Sequence, residues 1–164
     1  MKKLAIIGAS YLQNPLILKA KDMGIETYAF AWKAGDIGER TADHFYPISI
    51  IKKDEILEKC REIGVDGVCT ISSDLGAVTA GYVANAMGLT GNSPACITKS
   101  TNKWAMRQAF AAGGDPSPKS VRVTSSADVK GEHFQFPIIV KPADRSGSRG
   151  VSKLMSAEGI DHAI

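Results

Sequence analysis

The residues with the clearest chemical potential lie between Phe136 and Leu154, where the chain reads Phe-Pro-Ile-Ile-Val-Lys-Pro-Ala-Asp-Arg-Ser-Gly-Ser-Arg-Gly-Val-Ser-Lys-Leu. A lysine, Lys141, closes a short β-branched run, and Pro142 biases it toward an extended conformation. The pattern therefore predicts a largely buried strand that ends in a cation. An ammonium in that position costs free energy unless an anion pairs with it, and a phosphate at ~4 Å would return roughly 4 kcal/mol at an intermediate dielectric. The loop that follows, Ser146, Gly147, Ser148, Arg149 and Gly150, can bring backbone N–H groups close to an anion, with hydroxyls and arginines as further donors. It lacks the Gly-Lys-Ser/Thr ending and following helix of a Walker A loop, because Val151 to Leu154 reads as a returning strand. The same residues also fit a plain hairpin whose glycines serve turn geometry while Lys141 reaches into solvent.

The elements that would position this loop follow a strand–helix rhythm. Leu4 to Ala9 is an apolar run, and Asn14-Pro15 reads as an N-cap followed by a first-turn proline. That helix runs to Met23, with Gly24 just past its end. Glu26–Ala31 is expected as the second strand and Phe45–Ser49 as a short third. Lys52–Ile63 is expected as a helix with Ile56, Leu57, Cys60 and Ile63 on one face, closed by Gly64. Gly67–Ser73 reads as the fourth strand, and Asp74 as the cap of a helix carrying Leu75, Val78, Tyr82 and Ala86 up to Gly88. Such repetition predicts an α/β fold with a parallel, doubly wound sheet. After the turn cluster Gly91–Pro94, a helix starting near Ser100 would place Met106, Ala109 and Phe110 on one face and Lys103 and Arg107 on another.

A lysine followed by a Ser/Gly/Arg loop and a second strand resembles the ATP-grasp superfamily, ligases that activate a carboxylate as an acyl phosphate and pass it to an amine or similar nucleophile. The resemblance is to the branch of carbamoyl-phosphate synthase large subunits, biotin carboxylases and purine-pathway glycinamide and carboxyaminoimidazole synthetases. It implies a Rossmann-like preATP-grasp domain over residues 1–96, then a linker helix and the N-terminal α+β subdomain of an ATP-grasp domain over 97–164, incomplete where the chain stops. Asn102-Lys103 matches the family's Asn/Asp-Lys pair, which makes Lys103 a second ATP ligand beside Lys141, Ser146, Gly147, Ser148 and Gly150. Gly113-Gly-Asp-Pro-Ser-Pro118 resembles the segment that enters the first strand of that domain, departing from it by an extra glycine and by Asp115. ATP with magnesium is the implied cofactor, its metal ligands expected beyond residue 164. The implied partners are small-molecule carboxylate and amine substrates, and a homodimer is compatible with the branch. On this reading the chain is expected to be the front of a longer ligase, not catalytically complete by itself, with no catalytic base among its residues.

Other classes fit less well. The turn Gly8 to Asn14 has one glycine where a dinucleotide fingerprint needs three, Tyr11 would crowd a pyrophosphate, and Lys33 stands where an acidic ribose partner belongs. Ser10 lacks a nucleophile-elbow context, and Ser10, Ser73 and Asp74 are retained as substrate-loop candidates, helix capping explaining the last two equally well. His44, His133 and His162 are scattered, so no metal triad is expected. Cys60, Cys69 and Cys96 are odd in number and lack C-x-x-C spacing, which favours buried free thiols. Twenty Lys+Arg against 17 Asp+Glu give a net charge of +3, too small to point to nucleic acid or membrane, and the first apolar run is too short for a signal peptide. A cytoplasmic protein is the default. A non-catalytic ATP-binding regulator, an NAD(P)-type Rossmann oxidoreductase and a ligand-free scaffold remain as alternatives.

Overall fold

In the computed structural model, which describes residues 1–130 and 134–164, the chain divides into two compact units, Met1–Ile97 and Thr98–Ile164. The first alternates β1 (Lys3–Ile7), α1 (Asn14–Asp22), β2 (Glu26–Phe30), α2 (Ile37–Thr41), β3 (His44–Tyr46), α3 (Lys53–Ile63), β4 (Gly67–Cys69) and α4 (Asp74–Ala86). Its strands form one parallel sheet in the order β3-β2-β1-β4. Side chains alternate across the sheet. Ala5, Ile7, Tyr28 and Phe30 pack with Ile56, Leu57 and Cys60 of α3 and Val83 of α4, whereas Ile6 and Ala29 face Ile17 of α1. Both faces are thus covered by helices, as a parallel sheet requires. Each fully buried isoleucine contributes about 1.5–3 kcal/mol through removal of apolar surface from water.

Several boundaries differ from those read in the sequence, each for a local reason. Asn14 is the first helical residue and not the cap, because its N–H already donates to Ser10 O at 3.1 Å; the Asn14 side-chain oxygen is buried with no hydrogen-bond partner among the described residues. β3 ends at Tyr46, where Pro47 has no N–H for a ladder. β4 stops at Cys69, since the Thr70 hydroxyl donates to Ile7 O at 2.6 Å in place of continued pairing and Ser72 turns the chain with a φ of 56°. Ser73, one residue before Asp74, caps α4 by accepting from Gly76 N. The buried face of α4 is the small-residue side, with Thr79, Ala80, Val83 and Ala84, which leaves Leu75 and Val78 exposed.

Residues Pro94–Thr101 form α5, a helix where a turn was expected, so Cys96 is helical and exposed, and not a buried thiol. The second unit then holds α6 (Lys103–Gly113), α7 (Ser126–Lys130), β5 (Ile138–Val140), β6 (Ser152–Leu154), a 3-10 turn at Ala157–Gly159 and α8 (Ile160–Ala163). Ser100 belongs to α5, and α6 starts at Lys103 because the Asn102 side chain accepts from Trp104 N and Ala105 N. Residues 115–123 are irregular instead of a strand, and Ser156 precedes the 3-10 turn without a side-chain cap bond. β5 and β6 pair antiparallel, Ile138 opposite Leu154 and Val140 opposite Ser152. Their covered face joins Leu154, Val129 and Ile160, with Ile138 and Val140 against them.

Candidate functional site

Two places in the chain gather the residues of interest, one in each unit. In the second unit, Lys141 is the first residue beyond the β5–β6 ladder. It is exposed, and Ile139 is 56% exposed, so the strand is covered on one face only and the expected cost of a buried ammonium is absent. A two-stranded hairpin over a small core has one wet side. The rest of the lysine–loop pattern is assembled by α6. Lys103 N donates to Ala143 O at 2.8 Å, and the Lys103 ammonium donates to Arg145 O, so the helix start is fastened to the loop that Lys141 opens. Arg107, one turn along, instead bonds the Ser117 hydroxyl at 3.0 Å and lies over the Phe110 ring.

The loop itself turns through three left-handed residues, Gly147 (φ 71°), Ser148 (φ 57°) and Gly150 (φ 70°). Ser148 is the non-glycine among them, a conformation that costs roughly 1 kcal/mol and recurs where backbone is held for a ligand. Gly150 passes close to the Pro142 ring, which a side chain at position 150 would meet at 3.0 Å. Ser146 to Gly150 are all exposed. A half-buried lysine and an exposed one, both tied to a loop rich in exposed N–H groups and hydroxyls, make a surface suited to a polyanion.

In the first unit, an open cleft of ≈ 330 Å³ lies at the carboxyl ends of the strands, where the order reverses between β1 and β4. Ser10, Trp32, Asp36, Ile50 and Ser73 are among its walls, while Asp74, the first residue of α4, is not. The floor is fixed by a residue that sequence reasoning missed. Gln13 is 4% exposed; its Oε1 accepts from Ser10 N and Ser10 Oγ, and its Nε2 donates to Ile71 O at 2.6 Å, linking the loops after β1 and β4. The Gln13 side chain fills the space over Gly8, and the N–H groups of Leu12, Gln13 and Asn14 are all taken by Ser10. With Pro15 next, the start of α1 offers little to a pyrophosphate, while Tyr11 itself is exposed.

Beside the cleft, Gly38 of α2 sits against the β1 loop, its N–H donating to Ala9 O at 2.9 Å. The loop leading into α2 is held by Glu39, whose Oε1 accepts from the N–H groups of Ala34, Gly35 and Asp36. The Ala34 amide, joined by the other two, keeps that carboxyl below its ordinary range. His44 is spent on Glu26 and on stacking with Tyr28, His162 lies in α8, and His133 falls outside the described residues. Among the described residues no group of three or more His, Cys, Asp or Glu could hold a metal ion, and no helix is long and apolar enough to cross a membrane.

No family model matches the sequence. An uncharacterised protein, y4rH, of Sinorhizobium fredii is 34% identical over 93 residues, 56% of this chain and 19% of that protein. Among solved structures, phosphoribosylglycinamide synthetase from Anaerococcus prevotii is 26% identical with a TM-score of 0.71, over 97% of this chain and 40% of that one. L-amino acid ligase from Bacillus licheniformis superposes with a TM-score of 0.83 at 21% identity, over 99% and 41%. The biotin carboxylase domain of Hydrogenobacter thermophilus 2-oxoglutarate carboxylase, in complex with MgADP and bicarbonate, gives 0.76 at 18% identity, over 97% and 38%. The chain therefore spans about a fifth of the curated relative and about two fifths of these enzymes. With its four-stranded parallel sheet followed by the lysine–loop hairpin, the chain has the fold of the N-terminal part of the ATP-grasp ligases.

Proposed function

We propose that this chain forms the front of an ATP-dependent ligase that activates a carboxylate or bicarbonate as an acyl phosphate for attack by an amine or similar nucleophile. On this reading the first unit is the preATP-grasp domain and the second is the phosphate side of the nucleotide site. The observation that carries it is the fastening of Lys103 to the carbonyls of Ala143 and Arg145, which seats one cation on the loop opened by the other. Lys103 and Lys141 would neutralise phosphate charge, and the Ser146–Gly150 loop would close over the transferring group and exclude water. The chain's role is thus positioning and charge stabilisation, without a general base. Magnesium would supply charge neutralisation to the phosphates; among the described residues no group of three or more His, Cys, Asp or Glu could hold it, and on this reading its ligands come from another part of the enzyme.

The test is calorimetric titration of the protein with ATP, comparing Lys103→Met and Lys141→Met with the unaltered chain. Each exposed or half-exposed cation is expected to contribute about tenfold in affinity, equivalent to about 1.4 kcal/mol. Unchanged affinity in both variants sinks the proposal. ATP binding without ADP release in the complete protein, across candidate carboxylates and amines, would favour a nucleotide-sensing module.

A further inference from the structure

We infer that the cleft of the first unit takes an unphosphorylated amine carrying an apolar or aromatic group, and not a sugar phosphate. The inference rests on the ligase reading only for its role as acceptor site; the ligand chemistry follows from the walls. A phosphate needs cations or free backbone N–H groups. Among the described residues no lysine or arginine lines this cleft, Ser10 and Gln13 consume the donors at the start of α1, and α4 begins with Asp74, whose charge opposes an anion. Among the described residues Asp36 is the sole ionisable one in the walls; its side chain takes part in the capping box of α2 with the Glu39 N–H but joins no ion pair, so its charge is left unneutralised. The nearby Glu39 is saturated by three amides.

Around that carboxylate the surface is apolar. Trp32 is 73% exposed and Leu12 41% exposed, with Ala9, Ala31 and Ile50 beneath them. A large indole left to water at the mouth of a concave site is a stacking platform, for a ring through offset packing and for an ammonium through its π face. Ser49 and Ser72 add hydroxyls that can orient a polar end. An amine facing Asp36 with its apolar group on Trp32 satisfies both features together.

The experiment titrates the whole chain, in a Trp104→Phe background so that Trp32 alone reports, with L-phenylalaninamide, 3-phenylpropionamide and ribose 5-phosphate. Phenylalaninamide should shift Trp32 emission and bind about tenfold more tightly than its deaminated analogue. Asp36→Asn should erase that difference, and Trp32→Ala, at an exposed position that folding does not need, should weaken the amine tenfold or more by calorimetry. Ribose 5-phosphate should not compete. Tighter binding of ribose 5-phosphate, no preference for the amine, no binding at millimolar amine, or an unaffected Trp32→Ala variant each overturns the inference. Because ATP is absent from these titrations, loss of this proposal and loss of the nucleotide proposal are separate results.

Discussion

Replacement of Gly38 by alanine tests whether the cleft depends on a backbone-to-backbone contact between α2 and the loop after β1. A Cβ at position 38 would lie 2.3 Å from Ala9 O and 2.8 Å from Ala9 C and Cα, where ordinary contact begins at 3.4 Å. All three atoms are backbone, so no rotamer can relieve the clash, and the segments must part by about 1 Å. That movement stretches the 2.9 Å bond from Gly38 N to Ala9 O past hydrogen-bond range. Overpacking costs about 1–3 kcal/mol and the lost bond about 1 kcal/mol more. For a unit of this size each kcal/mol lowers Tm by roughly 4–8 °C, so a loss of about 2–4 kcal/mol gives a fall of roughly 8–30 °C. Calorimetric melting should be compared with Gly35→Ala, where φ is +79° but nothing lies within 4 Å, so strain alone acts at about 1–2 kcal/mol. Because Ala9 and Asp36 are both cleft walls, Gly38→Ala should also abolish phenylalaninamide binding. A Tm no lower than that of Gly35→Ala, or a variant that binds the amine normally, refutes the reasoning.

Three further outcomes follow from the electrostatics and caps. Burial pushes the Asp43 carboxyl up, but the Lys21 ammonium and the Thr27 amide and hydroxyl outweigh it and hold it at about 2, against an ordinary 3.8. A folded-state value below the unfolded one stabilises above the unfolded value and is lost as pH falls through the folded one; with the side chain one-third exposed, about 1 kcal/mol is at stake. The Tm gap between the unaltered chain and Asp43→Asn should therefore be full at pH 7 and close by about pH 2, and a pH-independent gap contradicts the assignment. Asn102→Ala should cost about 1 kcal/mol in urea melts and weaken ATP binding by loosening the start of α6, whereas Asn102→Ser should restore most of both. Burial pushes the Cys60 thiol up to about 12 and raises that of Cys69, so iodoacetamide at pH 8 should modify Cys96 quickly and Cys60 only on unfolding, as peptide mass spectrometry would show.

What the sequence made legible was whatever local pattern alone decides. Apolar runs and C-terminal glycines located the four strands and α1, α3 and α4 of the first unit, with Gly24, Gly64 and Gly88 at the left-handed helix ends that their spacing implies, but not α2, whose five residues carry no apolar period. Strand ends were not legible, because they depend on which partner reaches a backbone group first. The Thr70 hydroxyl claims Ile7 O and Ser10 claims three amides, and neither choice leaves a trace in propensity. For the same reason Asn14 and Asp74 read as caps while Ser10 and Ser73 did the work.

The candidate sites divide along the same line. The Lys141 loop could be found because its donors are contiguous in sequence, yet the premise that drew attention to it, a buried strand end, fails at Ile139 and Lys141. What replaces that premise is a contact across 42 residues, the Lys103 ammonium on the Arg145 carbonyl, which only the hairpin and α6 together create. A carbonyl is a weak competitor for an ammonium compared with a phosphate, so on the proposed reading this bond would hold Lys103 at the loop and yield to a nucleotide at small cost. The first-unit cleft was harder still to see, since Gln13 follows β1 while Trp32, Asp36 and Gly38 lie in the β2–α2 loop and the start of α2, and no spacing rule joins the two segments. A parallel sheet gathers such loops at its carboxyl edge whatever their composition, which means that location is inherited from the fold while ligand chemistry is written residue by residue. In this chain those residues set an indole beside a carboxylate and, among the described residues, put no lysine or arginine in the walls, and it is that choice of side chains that turns the proposed ligand away from phosphate.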